Sequence, residues 1–361
     1  MNKKINLTVF LMFYNPGNFL KKSLISLIKQ TYRPFKIILI LDYPKKNEIE
    51  YDKKKFEKDS KSLKKFKKDL KKKEIDIELI LRKKNFGPDN NARDALLNKI
   101  KTKYLYVQSQ NDFIVDKSFF YNSIKFLEKN QDCSLAIHNS STIIDTKIKK
   151  TRFDFIKKNS KNYSIIKGVT FLKYFKFLNF ANNYCTTMYN FNSIKKNGYL
   201  SFYPKKNIYK KNDCFWEDFE FLIYFALIKK NLAITNKVSS FIIDHKSRVS
   251  RHSKFKPGSA FHNRSAAFSR FLLLHKLKNK DLRLSIILQL LLHWSYSPKS
   301  FFGGFYRYFN RFTFVALNLF SIFFFKVFYG ISYKIKYFTI NFIRLIARKL
   351  FFLELKKNDQ N

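Results

Sequence analysis

Two short stretches of this 361-residue chain combine residue types that could do chemistry. The first is YLYVQSQNDFIVD, in which Asp112 follows an apolar run and a cluster of small polar side chains. Carboxylate, amide and hydroxyl oxygens are the ligands that hard divalent cations prefer in proteins. Asp112 is therefore a candidate cation ligand, and the alternative is that it forms the polar tip of a buried strand.

The second stretch is FWEDFEF, which contains the neighbouring acids Glu217 and Asp218. A carboxylate with a suitable pKa can accept the proton of an attacking hydroxyl group as a general base. A helical pattern follows over residues 219–228, and acids at the start of a helix also complement its dipole. The pair is thus either catalytic or a feature of the helix terminus.

Four apolar runs indicate the strands that would position Asp112; they cover residues 6–13, 35–41, 75–81 and 104–108. Segments with helical spacing lie between them, so a mostly parallel α/β sheet is expected. Asp112 then follows the fourth strand at the carboxyl edge, where open α/β sheets bind ligands.

The segment between the second and third strands is rich in lysine, yet it is amphipathic. Its apolar residues fall on one helical face: Phe56, Leu63, Phe66 and Leu70. One interpretation is a helix packed on the sheet with a solvated outer face. The other is a surface for a membrane or a polyanion.

The composition indicates a folded and strongly basic protein. The formal net charge is +46, but 45% of residues are hydrophobic and 43 are Phe, which excludes a disordered chain. The joint abundance of Lys, Asn, Ile and Phe is typical of AT-rich genomes, so lysine content alone does not indicate a nucleic-acid partner.

The three cysteines have no metal-ligand spacing, and no signal-peptide pattern begins the chain. We therefore expect a cytoplasmic protein.

Residues 258–361 are aromatic, basic and helical in pattern. The uncharged run Phe312 to Phe325 has 14 residues, fewer than the roughly 20 that a membrane-spanning helix needs. Extension to Ser332 would permit a tilted span. Interspersed basic and aromatic residues favour a helix lying in an anionic membrane surface, and packing on the rest of the protein is the alternative.

Several motifs, taken in order, resemble those of family 2 glycosyltransferases, which are inverting GT-A enzymes. They are FLMFYNPGNFLKKSLISLIKQTYRPFKIILILD, NFGPDNNARDALL, YVQSQNDF, TTMYNFNSIKKNGYL, CFWEDFEFLIYFAL and DHKSRVS. The resemblance implies a GT-A domain over residues 1–257, with a Rossmann-like sheet, followed by the helical region 258–361. It also implies a nucleotide-sugar donor, a divalent cation (Mn²⁺ or Mg²⁺), and a lipid-linked or cell-surface polysaccharide acceptor.

The resemblance assigns the donor site to residues at four places. Tyr14 and Asn15 match the family's first-strand motif near the nucleotide, although Asn15 also suits a turn. Asp42 matches the second of two acids after strand two, where Leu41 stands in place of the first. Arg93 matches an arginine that can reach the diphosphate.

At the family's Asp-x-Asp motif this chain departs from the pattern. Ser109 and Asn111 occupy the first two acidic positions, and only Asp112 remains. Three outcomes are open: weak cation binding through Asp112, cation-independent stabilisation by Arg and Lys, or an inactive site. Asn111 remains a candidate donor-site residue.

The resemblance also assigns the chemistry. Asp218 matches the family's catalytic base, with Glu217 as the second candidate. His245 matches a residue that can bind the cation or phosphate, and Arg248 can neutralise the leaving diphosphate. Two other functions stay open: a catalytically inactive scaffold for glycan assembly, and nucleic-acid binding, for which the chain has no recognition motif.

Overall fold

The structure is a computed structural model, and it describes residues 5–46, 51–73, 75–144, 147–149, 163–171, 184–192 and 231–244, with Ile346 and Lys349. Within these residues the strands are β1 (Leu7–Phe13), β2 (Phe35–Leu41), β3 (Ile75–Leu81), β4 (Tyr104–Ser109), β5 (Asp112–Ile114), β6 (Cys133–Ile144), β7 (Lys147–Lys149), β8 (Ser164–Lys167), β9 (Thr187–Asn190) and β10 (Asn231–Asp244). The helices are α1 (Phe19–Ile28), α2 (Lys53–Lys71), α3 (Gly87–Asp94), which continues into a π-helical segment (Ala95–Lys99), and α4 (Phe119–Lys129), with a 3₁₀ turn at Tyr184–Thr186.

The strands form one sheet in the order β3-β2-β1-β4-β9-β6-β10-β5, with β7 beside β6 and β8 beside β10. The first four neighbours are parallel, as the four apolar runs predict. Every antiparallel pair involves a strand that follows β4 in the chain. The predicted α/β class is confirmed, and the antiparallel pairs are an addition to it.

The register aligns the carboxyl ends of the parallel strands. Phe13 pairs with Leu41, Leu41 pairs with Leu81, and Met12 pairs with Ser109. The segments that follow β1, β2, β3 and β4 therefore start side by side at one edge of the sheet.

Helices α1 and α2 pack their apolar stripes on this sheet. Leu20, Leu24 and Leu27 of α1 are buried, and so are Phe56, Leu63 and Leu70 of α2. They join the odd-numbered residues of β1 and β2 in one core. Burying a side chain of this size contributes roughly 1.5–3 kcal/mol, so the lysine-rich segment is a helix packed on the sheet, and this packing leaves both interpretations of its outer face open.

The chain divides into two compact units. The first contains Met1–Gly168, Ala181–Tyr203 and Phe215–Asp244, and the second contains Val169–Phe180, Pro204–Cys214 and His245–Asn361. The elements named above belong to the first unit. The predicted boundary after residue 257 lies outside the described residues, and so do the predicted C-terminal helices. Among the described residues, no helix is both long and apolar enough to cross a membrane.

Candidate functional site

Tyr14 joins three of the segments at the carboxyl edge. Its backbone N–H donates to Oε1 of Gln110, in the turn after β4, at 2.8 Å. Its hydroxyl oxygen accepts from the backbone N–H of Lys45, after β2, at 3.2 Å. The Tyr51 ring meets the Tyr14 ring edge-on, with centroids 5.2 Å apart. Tyr14 is thus a fixed, half-buried aromatic side chain at the sheet edge.

A cation lies over one face of the same ring. The exposed Lys45 ammonium is 5.7 Å from the centroid of Tyr14. An aromatic face next to a cation can accommodate a nucleobase and an attached phosphate. The sequence motif predicts Tyr14, but nothing in the local pattern identifies Lys45, because lysines are common throughout the chain.

Asn15 forms the turn from β1 to α1. Its φ is 49°, in the left-handed region, and Gly17 follows with a φ of 50°. Asn tolerates this conformation better than most residues because its short side chain can hydrogen-bond locally. The geometry supports the turn-forming role of Asn15, and its predicted contact with a nucleotide stays a prediction.

Asp42 is a buried carboxylate with three backbone donors. Oδ1 accepts from the N–H groups of Tyr43 and Phe86, each at 3.0 Å, and Oδ2 accepts from that of Gly87 at 2.8 Å. Phe86 and Gly87 begin α3, where a negative charge complements the helix dipole. Asp42 therefore ties the loop after β2 to α3. A nucleobase that bound to Asp42 would share the carboxylate oxygens with these three backbone N–H groups.

Arg82, which the sequence analysis missed, ties β3 to α3 from the other side. Its Nε donates to Oδ1 of Asn91 at 2.8 Å, and its Nη2 donates to Oδ2 of Asp94 at 2.5 Å. The guanidinium also lies 4.4 Å from the centroid of the Phe86 ring. Burial acts to raise the pKa of Asp94, but hydrogen bonds from Asn98 and Arg82 outweigh it, and the pKa lies below its ordinary value.

The backbone of Arg93 lies in this helix, one residue before Asp94. Asp42 and Arg82 both hold α3, so they fix the backbone that carries Arg93 near the sheet edge. Its predicted contact with a diphosphate stays a prediction.

Asp112 follows the short turn after β4. Asp112 begins β5, is only 2% exposed, and pairs with Ile242 of β10. Nε2 of the buried Gln108 donates to the Asp112 carbonyl at 3.1 Å and to the Ser23 hydroxyl at 2.5 Å. These contacts anchor β5 to α1, and they favour the polar tip of a buried strand over an open cation site.

Asn111 has a different environment. Its Oδ1 atom is buried and has no hydrogen-bond partner among the described residues. A buried acceptor without a partner costs roughly 1–3 kcal/mol, so a donor on a ligand would be favourable here once the turn opens to admit it. Asn111 is a neutral group positioned to accept a hydrogen bond.

The described residues alone do not fit a divalent cation. Ser109 and Asn111 are neutral, and Asp112 is nearly inaccessible. In the described ranges, no three or more His, Cys, Asp or Glu side chains lie close enough together to hold a metal ion. The second predicted ligand, His245, lies outside them. However, β10 pairs Ile242 with Asp112, so the described chain reaches the Asp112 turn just before His245.

The predicted catalytic acids also lie outside the described residues. They are Asp218 and Glu217, and Arg248 lies outside as well. The structure therefore brings together Tyr14, Asn15, Asp42, the Arg93 backbone, Asn111 and Asp112 from the predicted set.

Comparisons with solved structures identify the architecture. S. aureus TarS 1-349 matches with a TM-score of 0.55 at 12% identity, over 82% of this chain and 74% of that one. Its complex with UDP matches with a TM-score of 0.56 at 12% identity, over 85% of this chain and 76% of that one. Its complex with UDP-GlcNAc gives 0.55, at 12% identity and over 82% and 75%. The fold is a GT-A fold. The fold predicted from the family 2 resemblance is confirmed.

Sequence comparison adds nothing to this likeness. No protein-family model and no curated protein matches the chain. At 12% identity the structural match concerns the GT-A fold alone.

Proposed function

We propose that this protein is an inverting glycosyltransferase of the family 2 type. It would move a sugar from a nucleotide-diphosphate sugar to a lipid-linked or cell-surface polysaccharide acceptor. The observation that carries the proposal is the GT-A fold with Tyr14, Lys45 and Asp42 assembled at the carboxyl edge of its parallel strands. The TarS fragment with this fold has been crystallised with UDP and with UDP-GlcNAc, which makes uridine nucleotides the first donors to test.

Donor binding uses the three segments that Tyr14 joins. The nucleobase packs against the Tyr14 ring, and Asp42 or the backbone near it accepts a base N–H. The Lys45 ammonium beside the ring and Arg93 on α3 neutralise the diphosphate. Asn111 accepts a hydrogen bond from a donor hydroxyl group.

The transfer step is a single displacement at the anomeric carbon. Asp218 removes the proton of the acceptor hydroxyl as its oxygen forms the new bond to that carbon. The bond from this carbon to the phosphate oxygen breaks on the opposite face, so the configuration inverts. The nucleoside diphosphate leaves with the bonding electrons, and Arg93 and Arg248 stabilise its charge. Glu217 is the second candidate for the base.

A divalent cation remains a prediction of the resemblance, with Asp112 and His245 as ligands. When bound, Mn²⁺ or Mg²⁺ would stabilise charge on the diphosphate. The roles given to Asp218 and the arginines do not depend on it.

The place of action follows from the acceptor. We propose that the protein is cytoplasmic and lies peripherally at the inner face of the cytoplasmic membrane, where lipid-linked acceptors are presented. The basic and aromatic residues of 258–361 support this location.

A thermal-shift panel tests donor binding. The purified protein is heated with UDP, GDP, dTDP or CMP, each with Mn²⁺ or with EDTA. A nucleotide at 100 times its dissociation constant stabilises the fold by about 2.7 kcal/mol. We expect stabilisation by one nucleotide, and its loss in EDTA would support a cation. No shift with any nucleotide would overturn the proposal.

Turnover tests the catalytic base. Asp218→Asn should lower the rate of sugar transfer by roughly 100- to 10,000-fold, because the carboxylate no longer accepts the proton. Its nucleotide-induced thermal shift should match that of the wild type. If Glu217→Gln shows this loss and Asp218→Asn does not, the base is Glu217.

A catalytically inactive scaffold is the second candidate. Ser109 and Asn111 in place of acids and the 2% exposure of Asp112 favour it. A nucleotide-induced shift without sugar transfer to any acceptor extract, unchanged by Asp218→Asn, would support the scaffold.

A further inference from the structure

The outward side of α2 carries an unbroken row of lysines at helical spacing. We call these residues the lysine stripe: Lys54, Lys58, Lys61, Lys65 and Lys68 of α2 and Lys72, the C-cap residue that follows it, all exposed. Successive members are three or four residues apart, so they lie on one face of the helix. Phe56, Leu63 and Leu70 anchor the opposite face in the core. Packing of α2 on the sheet therefore directs the whole stripe to solvent.

This charge has little local compensation. The acids of α2 are Glu57, Asp59 and Asp69. Glu57 approaches Lys53, which lies outside the stripe, at 4.0 Å, and Lys58 acts electrostatically on Asp59. Among the described residues, no salt bridge joins a stripe lysine to an acid. Like charges at this spacing destabilise a helix, so the stripe works against the stability of α2.

General lysine enrichment does not explain the concentration. Helix α2 contains 10 lysines in 19 residues. Helix α1 contains two in 10 residues, and α4 contains two in 11. Biased codon usage would raise the lysine content of every surface helix alike. The difference points to a partner for α2 in particular.

The shape and chemistry of the stripe restrict that partner. A helix of this length is roughly 28 Å long, so the lysines form an extended row. None of the exposed large hydrophobic residues lies on α2, and Phe56 and Phe66 are buried or half-buried. The helix therefore has neither an aromatic platform for nucleobases nor an apolar face for insertion into lipid. It also has no arginine, whose planar fork suits individual phosphates, and compact lysine charges suit a diffuse anionic surface.

We propose that the lysine stripe docks the protein on an anionic phospholipid membrane. This proposal rests on the membrane location proposed above. It assigns the membrane contact to the outer face of α2. Tyr51, just before α2, contacts Tyr14 at the donor site. Docking through α2 would therefore hold this site close to the membrane that carries a lipid-linked acceptor.

Vesicle sedimentation of the full chain tests the stripe. Vesicles of phosphatidylcholine alone are compared with vesicles that also contain phosphatidylglycerol. The test variant replaces all six stripe lysines by Gln. The matched control has the same charge change at exposed lysines on other segments: Lys21, Lys22, Lys29, Lys101, Lys125 and Lys129.

We expect the wild type to bind the anionic vesicles and not the neutral ones, with binding abolished at high salt. The stripe variant should bind anionic vesicles at least about tenfold more weakly than the control variant, because each lysine near an anionic surface contributes attraction. Thermal unfolding should show that both variants fold. If the six-site variant does not fold, the two three-site variants (Lys54, Lys58 and Lys61, or Lys65, Lys68 and Lys72, to Gln) should each show an intermediate loss.

Equal vesicle binding by the stripe and control variants would overturn the proposal. Failure of the wild type to bind anionic vesicles would also overturn it. This includes the outcome in which the stripe binds RNA or polyphosphate but not the vesicles. The UDP-induced thermal shift is measured in the same variants. Its retention in the stripe variant separates a failure of membrane docking from a failure of donor binding, on which the proposed function depends.

Discussion

Two regions at the same sheet edge are built in opposite ways. In the Asp42 cluster, consisting of Asp42, Arg82 and the start of α3, charged side chains satisfy backbone and side-chain partners across three segments. In the β4–β5 turn, Ser109–Asp112, the neutral residues Ser109 and Asn111 occupy the positions where family 2 glycosyltransferases, which the sequence resembles, have acids. The remaining acid, Asp112, is buried.

The comparison separates positioning from cation chemistry. The Asp42 cluster holds the backbone of the proposed donor site before any ligand binds, which reduces the ordering cost of binding. The β4–β5 turn is anchored through Gln108 but has little charge available for a cation. The site is thus preorganised on one side and depleted of acids on the other.

Removing the Asp42 carboxylate should have the largest effect on this contrast. Asp42→Ala leaves the N–H groups of Tyr43, Phe86 and Gly87 without their acceptor. The free energy of unfolding should fall by about 3 kcal/mol, since hydrogen bonds to a charged group contribute roughly 1.5–3 kcal/mol each and solvent recovers part of this. Urea unfolding measures it.

Asp42→Asn is the control for that change. It keeps one side-chain oxygen acceptor, and its loss should be clearly smaller than that of Asp42→Ala. If Asp42→Ala unfolds at the wild-type urea concentration, the carboxylate does not hold the cluster together.

Arg82→Met should have the next largest effect. It removes the hydrogen bonds to Asn91 and Asp94, and the free energy of unfolding should fall by about 2 kcal/mol at pH 7. The folded-state pKa of Asp94 is lowered, so its pairing contributes stability above the unfolded-state pKa of roughly 3.9. This contribution is lost as the pH falls through the folded-state value. The difference between wild type and variant should therefore shrink in acid.

Unfolding curves of both proteins from pH 7 to pH 3 check this expectation. A difference that stays constant over that range would show that Arg82 acts through Asn91 and Phe86 rather than through the Asp94 charge.

Introducing acids into the β4–β5 turn should have the smallest effect, and the effect should be on Mn²⁺ binding. Ser109→Asp combined with Asn111→Asp adds two hard oxygen ligands, which should tighten Mn²⁺ binding by about tenfold, or about 1.4 kcal/mol. The Mn²⁺ concentration needed for half of the thermal shift measures it in the presence of UDP. Ser109→Asn with Asn111→Gln is the uncharged control, and an equal gain in that control would contradict an effect of charge.

Local patterns predicted much of this region. The bounds of β2 and β3 match their apolar runs, and α2 follows the spacing of its apolar residues. The Asn-Pro-Gly turn appears where the sequence indicates it, with Asn15 in the left-handed conformation. Such features depend on neighbours in the chain, so the sequence carries their signal directly.

Other features had no local signal. Asp42 meets donors 44 and 45 residues later, and Arg82 meets Asp94 12 residues later on another element. Helix α3 ends at Asp94, and the chain continues as a π-helical segment without any sequence signal for that change.

The sequence by itself determined the order of the first four strands and the helices between them, the inward and outward faces of α2, and the neutral residues at the acidic motif. Only the tertiary structure decided that Asp42 supports α3, that Gln110 holds Tyr14, and that β10 pairs with the strand that begins at Asp112. The physical reason is that side-chain periodicity is local, whereas a buried polar group takes whichever partner the packed sheet brings within hydrogen-bond distance.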